Sequence, residues 1–560
     1  MSIESFNSSH FSLPTSRTKG GVLIMNFDPS FNPYPSHRNV TYGKNGMVAT
    51  SQPLAAQAGL DILKKGGNAI DAAIGVAACL TVVEPTSNGI GGDAFALVWT
   101  KGRLHGLNAS GPAPRSISIE KVKALGHEKM PTFGWIPVTV PGTPAAWTEL
   151  SEKFGKLPLT DVLEPAIKYA REGYPISPTL GYFWNLTYEF YKKKMIGTEF
   201  LEWFQTFAPN GRAPKVGEMF KSLSHGKTLE EIAKTNAESF YRGRLGEEII
   251  AASQKSGGFL AHEDLASYKP EWVEPVSVNY RGYDVWELPP NGQGIIALSA
   301  LNILKEFSFT RETVEAVHRQ IEALKLAFTA GKKAISDPKT MDTKQIEYLL
   351  SEKFAKQAAG KINDHALVPE VCDLAKGGTV YLCTADAHGN MVSYIQSNYM
   401  GFGSGIVIPD TGIAMQNRGA DFNLDPKHAN ALVGGKKTYH TIIPGFLTKD
   451  GKPLGPFGLM GGYMQPQGHV QLIMNTIDFT LNPQMALDAP RFQWLEGKKI
   501  EVEKSFPTHI AKALAMRGHD VKVTLQSGSF GRGQIIWRDP DSGVLAGATE
   551  SRCDGSIAVY

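Results

Sequence analysis

The 560 residues predict a mixed α/β protein whose helical and strand layers are interwoven rather than strung as separate beads. Three observations carry that expectation. The chain is too long for one ordinary core, so two lobes or one large layered body are required. Helical periodicity dominates 51–83, 144–260 and 313–335, whereas from Thr379 to about Asn475 the texture is β-rich and broken by glycine turns. No internal repeat or low-complexity linker separates the two textures.

Taken in order, residues 1–24 are polar, Ser-rich and aperiodic and read as a disordered leader or a misassigned start. "KGG" at 19–21 can be encoded by a ribosome-binding sequence just upstream of Met25, where translation is expected to begin. In "SQPLAAQAGLDILKKGGNAIDAAIGVAACLTVVEP" Leu54, Ala55, Ala58, Leu60, Ile62 and Leu63 form a helical stripe. Gly66-Gly67 ends that helix and Asn68 caps the next. The second helix is apolar nearly all round and should be buried; "AFALVW" then reads as an inner strand. Between them, Gly89-Ile90-Gly91-Gly92-Asp93-Ala94 fits the dinucleotide fingerprint, but the fingerprint needs a strand before and a helix after, and here the order is reversed. A tight backbone loop is expected instead. Residues 423–437 read as a polar, mobile flap inside the β-rich region, and the last 60 residues as short strands and turns.

Composition narrows the function classes. Hydrophobic residues make up 42% and charged residues 20%, with a net charge of +3 and scattered lysines, so nothing points to nucleic acid or an anionic membrane. No run approaches the roughly 20 apolar residues of a membrane span, and the N-terminus lacks a signal-peptide pattern. Cys79, Cys372, Cys383 and Cys553 show no metal-binding spacing and suit a reducing compartment. The expectation is a cytoplasmic protein without a zinc site.

Chemistry enters at Gly377-Gly378-Thr379. Read alone, this is a turn feeding a strand. It is also what a self-cleaving precursor needs. An N-terminal threonine acts as nucleophile with its own α-amine as base, provided the peptide before it is cut. A preceding glycine lets the backbone adopt the conformation for attack.

The motifs around it decide between these readings. "GMVATSQPLAAQAGLDILKKGGNAIDAA", "EPTSNGIGGDAF", "VPGTPAAW", "KGGTVYLCTADAHGNMVS", "GFGSGIV", "LMGGYMQPQGHVQ", "LDAPRF" and "SRCDG" occur in one order over about residues 40–560. In these the chain resembles the γ-glutamyltransferase family of N-terminal-nucleophile hydrolases, within it the branch of bacterial glutathione hydrolase-like proenzymes. The resemblance implies a four-layer αββα sandwich, autoprocessed between Gly378 and Thr379 into a large subunit (25–378) and a small subunit (379–560) that stay together as one intertwined domain. Further dimerisation is open. It also implies that Thr379 is the nucleophile and new N-terminus, that the Ser397 hydroxyl supports it, and that the N–H groups of Gly461 and Gly462 form the oxyanion hole. The activity implied is hydrolysis or transfer of a γ-glutamyl or similar carboxylated acyl group, as in glutathione, through an acyl-threonine ester, with no metal or organic cofactor needed.

The substrate-binding positions depart from the family. Ser110 stands where the family arginine binds the glutamyl α-carboxylate, and Arg115 is five residues away. Positions that hold the α-amino group read Tyr399, Arg418 and Asp421; the paired serines near the oxyanion region read His440-Thr441. Arg418 either binds a carboxylate through its planar fork or pairs structurally with Asp421. An amidohydrolase for a non-glutamyl carboxylated amide, of oxamate or glutaryl type as in cephalosporin acylases, is therefore the enzymatic alternative. An unprocessed binding pseudoenzyme is the other; the intact "GGT" and "MGG" motifs argue against it.

Overall fold

The computed structural model describes residues 38–369 and 377–560; the expected leader, the Met25 start and Cys372 lie outside them. Two seven-stranded sheets form its centre. The first runs Ser556–Val559, Gly46–Thr50, Gly378–Asp386, Met391–Tyr399, Asp93–Thr100, Arg103–Ala109 and Glu271–Val273. The second runs Thr41–Gly43, Leu545–Thr549, Arg532–Arg538, Lys452–Met460, Gly445–Lys449, Tyr283–Glu287 and Val276–Tyr280. All neighbours within both sheets are antiparallel.

Period-two alternation assigns the faces. In the strand Gly378–Asp386, Tyr381, Cys383 and Ala385 join Phe95, Met391 and Ile395 against Phe446, Met460 and Ile536 of the other sheet. This is the seam between the sheets. The alternate residues Val380 and Leu382 turn outward to the helices Pro53–Lys64 and Ala69–Val83. On the far side, Leu447, Phe457 and Ile535 meet the helices Gly294–Leu304, Val314–Ala334 and Met464–Ile477. Helix, sheet, sheet, helix is the expected αββα order. A strand covered on both faces has no polar side, which is why "TVYLCTA" is almost continuously apolar.

Local signals account for the elements. Helix Ala69–Val83 is buried at every position, as its all-round apolar surface requires, and Asn68 starts it with a capping box to Asp71. The loop Glu84–Gly92 leads from that helix into the strand Asp93–Thr100, the reverse of a nucleotide-binding turn. The stretch 423–437 departs from expectation: it is packed rather than a free flap. Asn430 Nδ2 donates to the Asp421 carbonyl at 2.8 Å, Lys436 Nζ to the Ala429 carbonyl at 2.7 Å, and Lys437 Nζ pairs with Glu271 at 2.8 Å. Polar composition reads as solvent-facing only when buried partners are out of view. No helix among the described residues is long and apolar enough to cross a membrane.

Candidate active site

Thr379 lies at the start of a central strand, beside a register irregularity between Gly378 and Val380. Its Oγ1 is 2.7 Å from the Gly378 carbonyl oxygen and 3.0 Å from Ser397 Oγ on the neighbouring strand. Ser397 Oγ donates to the same carbonyl at 2.6 Å and accepts the Tyr399 N–H at 2.8 Å. Two hydroxyls thus converge on the carbonyl preceding the threonine. Tyr399 sits at φ +74°, a left-handed conformation that non-glycine residues rarely adopt and that functional sites often hold.

Steric space explains the glycine pair. A Cβ on Gly378 would stand 2.9 Å from Gly401 N, and one on Gly377 would stand 3.0 Å from the Tyr399 carbonyl. The same Gly377 Cβ would touch Gly462 Cα at 3.4 Å, so the segment before Thr379 lies against the second glycine pair. Gly461 and Gly462, at φ +139° and +61°, link the strand Lys452–Met460 to the helix Met464–Ile477. Their carbonyls are bonded: Met464 N donates to Gly461 and Gln465 N to Gly462, both at 3.1 Å, and Gln293 Nε2 donates to Gly462 at 2.9 Å. Among the described residues neither N–H has an acceptor, and the helix that follows presents its positive end here. An oxyanion could be held by such a pair.

The remaining predicted residues form one buried cluster. Arg418 stacks on Tyr399, its guanidinium carbon 3.4 Å from the ring centroid. It donates to Thr441 Oγ1 at 2.9 Å and to the Tyr439 carbonyl at 3.3 Å, and approaches Asp421 at 3.4 Å. Asp421 also accepts the Tyr463 hydroxyl at 2.8 Å. His440 Nδ1 accepts the Ile442 N–H, so Nε2 carries the proton and donates to Asp93 at 3.0 Å. Burial, reinforced by Arg418 and Lys437, holds the His440 imidazole well below its usual range, while burial pushes the Asp93 carboxyl up to about 7. Ser110 is buried and bonded to Asn108 Oδ1 at 2.7 Å. Arg115 is outside the cluster, paired with Glu263 on the surface.

Sequence reasoning missed several partners. Tyr463 directly follows the glycine pair, and Lys332 Nζ donates to its hydroxyl while lying 4.3 Å from the Tyr439 ring centroid. Gln293 is signalled only by the glycines on either side of it. A cleft of about 410 Å³ opens at Gly377, Gly378 and Gly461, walled by Tyr182, Phe183, Trp494, Leu495, Gln526 and Arg532. The buried Arg418, Tyr399, Asp421, His440 and Thr441 do not line it. Among the described residues His318, Glu322 and His519 are spaced to share a metal ion. However, Lys325 already bonds Glu322 at 2.8 Å, and the two imidazoles bond each other at 2.9 Å.

A family model described as gamma-glutamyltranspeptidase matches residues 55–560. The glutathione hydrolase-like YwrD proenzyme of Bacillus subtilis is 36% identical over 527 residues, covering 92% of this chain and 98% of its own. The oxamate amidohydrolase proenzyme of Klebsiella pneumoniae is 32% identical over 532 residues, covering 92% and 98%. A crystal structure of cephalosporin acylase from Bacillus halodurans superposes with a TM-score of 0.93 at 62% identity, covering 96% of this chain and 99% of that one. With two antiparallel sheets between helical layers and a threonine opening a central strand, the chain belongs to the γ-glutamyltranspeptidase family of N-terminal-nucleophile hydrolases.

Proposed function

We propose that the protein is a proenzyme that cleaves itself before Thr379 and then hydrolyses, or transfers, a carboxylated acyl group from an amide. The observation that carries this reading is the convergence of the Thr379 and Ser397 hydroxyls on the Gly378 carbonyl, with the Gly461-Gly462 pair alongside. In the intact chain the Thr379 nitrogen is an amide and cannot act as a base. Thr379 Oγ1 attacks the Gly378 carbonyl carbon, its proton passing to Ser397 Oγ as Ser397 donates its own to the carbonyl. The C–N bond then breaks as the proton on that oxygen passes to the departing nitrogen, and an ester remains. Water hydrolyses that ester and frees the α-amine, which becomes the base for later turnovers. A substrate amide repeats the sequence: acyl transfer to Thr379, departure of the amine, and attack by water or an acceptor amine.

The family's γ-glutamyl reading, with glutathione as donor, competes with a non-glutamyl one. Asp421, the position that would hold an α-ammonium, is engaged by Tyr463 and Arg418, and no arginine stands at 110. That favours an acyl chain with a carboxylate and without the glutamyl amino group. Similarity to proteins named oxamate amidohydrolase and cephalosporin acylase supports the same direction.

Intact mass tests the first half. Cleavage after residue 378 divides 60.9 kDa by chain length into about 41 kDa and about 20 kDa, the smaller chain beginning at Thr379. Thr379→Ala is expected to yield one uncut, inactive chain; two chains from that variant would overturn the assignment. Rates on γ-glutamyl-p-nitroanilide, glutaryl-p-nitroanilide and oxamate then separate the substrate readings.

A further inference from the structure

We propose that Arg532 reads the substrate's carboxylate in the open cleft. This inference rests on the amide-hydrolase reading and names the substrate class of the same site: amides whose acyl chain ends in a free carboxylate.

The argument starts from where an acyl group lies. The acyl group present at Thr379 is that of Gly378 itself, and Gly377 and Gly378 line the cleft. Cleavage turns Gly378 into a chain end that can withdraw, leaving that space to a substrate acyl chain. Arg532 is on its wall, paired in register with Met460, and Gly531 lies 3.1 Å from where a Gly461 Cβ would stand. The guanidinium is therefore on the next strand from the oxyanion candidates.

Its bonding differs from that of the protein's other buried arginines. Arg491 donates four hydrogen bonds of 2.8–2.9 Å, and Arg552 donates five of 2.6–3.1 Å. Arg532 is as deeply buried, at 6% exposure. Among the described residues it makes a single long contact, 3.4 Å from Nη1 to Glu84 Oε1, and Nε has no acceptor. Ser51 donates to the other Glu84 oxygen. A buried guanidinium with idle donors is costly unless something else accepts from them. It lies over the Phe183 ring at 4.5 Å, and that ring supplies an apolar wall for the methylenes of an acyl chain. A bound carboxylate would take the unused edge in a charge-assisted pair. Arg418, whose Nε among the described residues also lacks an acceptor, nevertheless has its ring stack and three oxygen acceptors inside the protein and does not line the cleft.

The test uses the matured wild-type enzyme with glutaryl-p-nitroanilide and its monomethyl ester, in which one methyl group removes the terminal charge. The free acid is expected to be preferred in kcat/KM by about 10- to 100-fold, the range of a charged hydrogen bond. Arg532→Gln should collapse that preference mainly through KM, and Arg532→Lys should keep only part of it. Arg418→Gln should leave the preference standing. Equal rates on both substrates in the wild type, or a preference that survives R532Q but not R418Q, would overturn the assignment. If R532Q does not mature because Glu84 loses its cation, E84Q/R532Q removes both charges. R532K, which keeps the charge but not the fork, is read in either case. A matured enzyme that cleaves neither substrate would instead refute the carboxylated-amide reading.

Discussion

Ser397→Ala offers the sharpest test of how the chain cuts itself. The hydroxyl holds three partners at once: Thr379 Oγ1 at 3.0 Å, the Gly378 carbonyl at 2.6 Å and the Tyr399 N–H at 2.8 Å. With one proton to donate and two lone pairs, it is fully used when Thr379 donates to Ser397 and Ser397 donates to Gly378. That direction draws the proton off the nucleophile and polarises the carbonyl under attack. Removing the hydroxyl also takes away the bond that the Tyr399 N–H donates to it. That lost bond costs about 0.5–1.5 kcal/mol, but it is lost from ground state and transition state alike and so falls on stability. The polarising bond strengthens as charge develops on the oxygen, so its loss, about 1.4–2.8 kcal/mol, falls on the rate. Self-cleavage should slow about 10- to 100-fold. The assay is a denaturing gel of freshly translated protein sampled over time, beside Ser397→Thr, which keeps the hydroxyl and should cleave close to the wild-type rate. Wild-type cleavage by S397A would refute the proton path, and loss of cleavage in S397T as well would show that packing rather than the hydroxyl controls it.

Three further outcomes follow from the packing. Gly461→Ala should mature poorly and turn over slowly, since φ +139° strains any side chain and Gly531 Cα would crowd a Cβ at 3.1 Å; normal kcat in a mature G461A enzyme would remove the pair from the oxyanion role. Arg418→Ala should lower thermal stability by about 3 kcal/mol, because it strips a buried pair and the stack on Tyr399, and unchanged Tm with a raised KM would return Arg418 to substrate binding. Glu550 sits between Arg491 at 2.8 Å and Arg552 at 2.7 Å, and although burial alone would raise its pKa, the two guanidinium groups pull it down to about 2. A depressed folded-state pKa gives stability that is present above the ordinary 4.5 and lost as pH falls toward 2, worth about 3 kcal/mol. Denaturant titrations at pH 7, 4 and 3 should show that loss in the wild type and little of it in E550Q, and a parallel loss in both would place the acid sensitivity elsewhere.

What was legible in the sequence is what the backbone dictates locally. The glycines of "GGT" and Gly461 of "MGG" are crowded by contacts within a few ångströms of their own Cα atoms, Gly462 sits at φ +61°, and Asn68 caps its helix through residues two and three positions on. The doubly covered strands announce themselves by continuous apolar runs. The motif "SRCDG" with "LDAPRF" was visible as a mark of kinship, yet its physical work, the Arg491–Glu550–Arg552–Glu503 network, joins residues up to 61 positions apart. Lys436 and Lys437 made 423–437 look solvent-facing because their acceptors belong partly to another segment, at Glu271.

The two arginines show where such reading stops. Arg418 is conspicuous in sequence because it replaces a residue that would contact substrate, and a cation at such a position suggests a carboxylate. Its charge, however, is satisfied by residues 399, 421, 439 and 441, and only their joint placement decides whether a guanidinium faces a ligand or a ring. Arg532 carries no motif and lies 153 residues from Thr379, but strand pairing with Met460 brings it to the cleft with donors to spare. Residue type fixes what a side chain can bind; the number of acceptors the fold leaves around it determines whether that capacity remains available. Specificity in this chain is therefore expected to follow the under-bonded arginine rather than the substituted one.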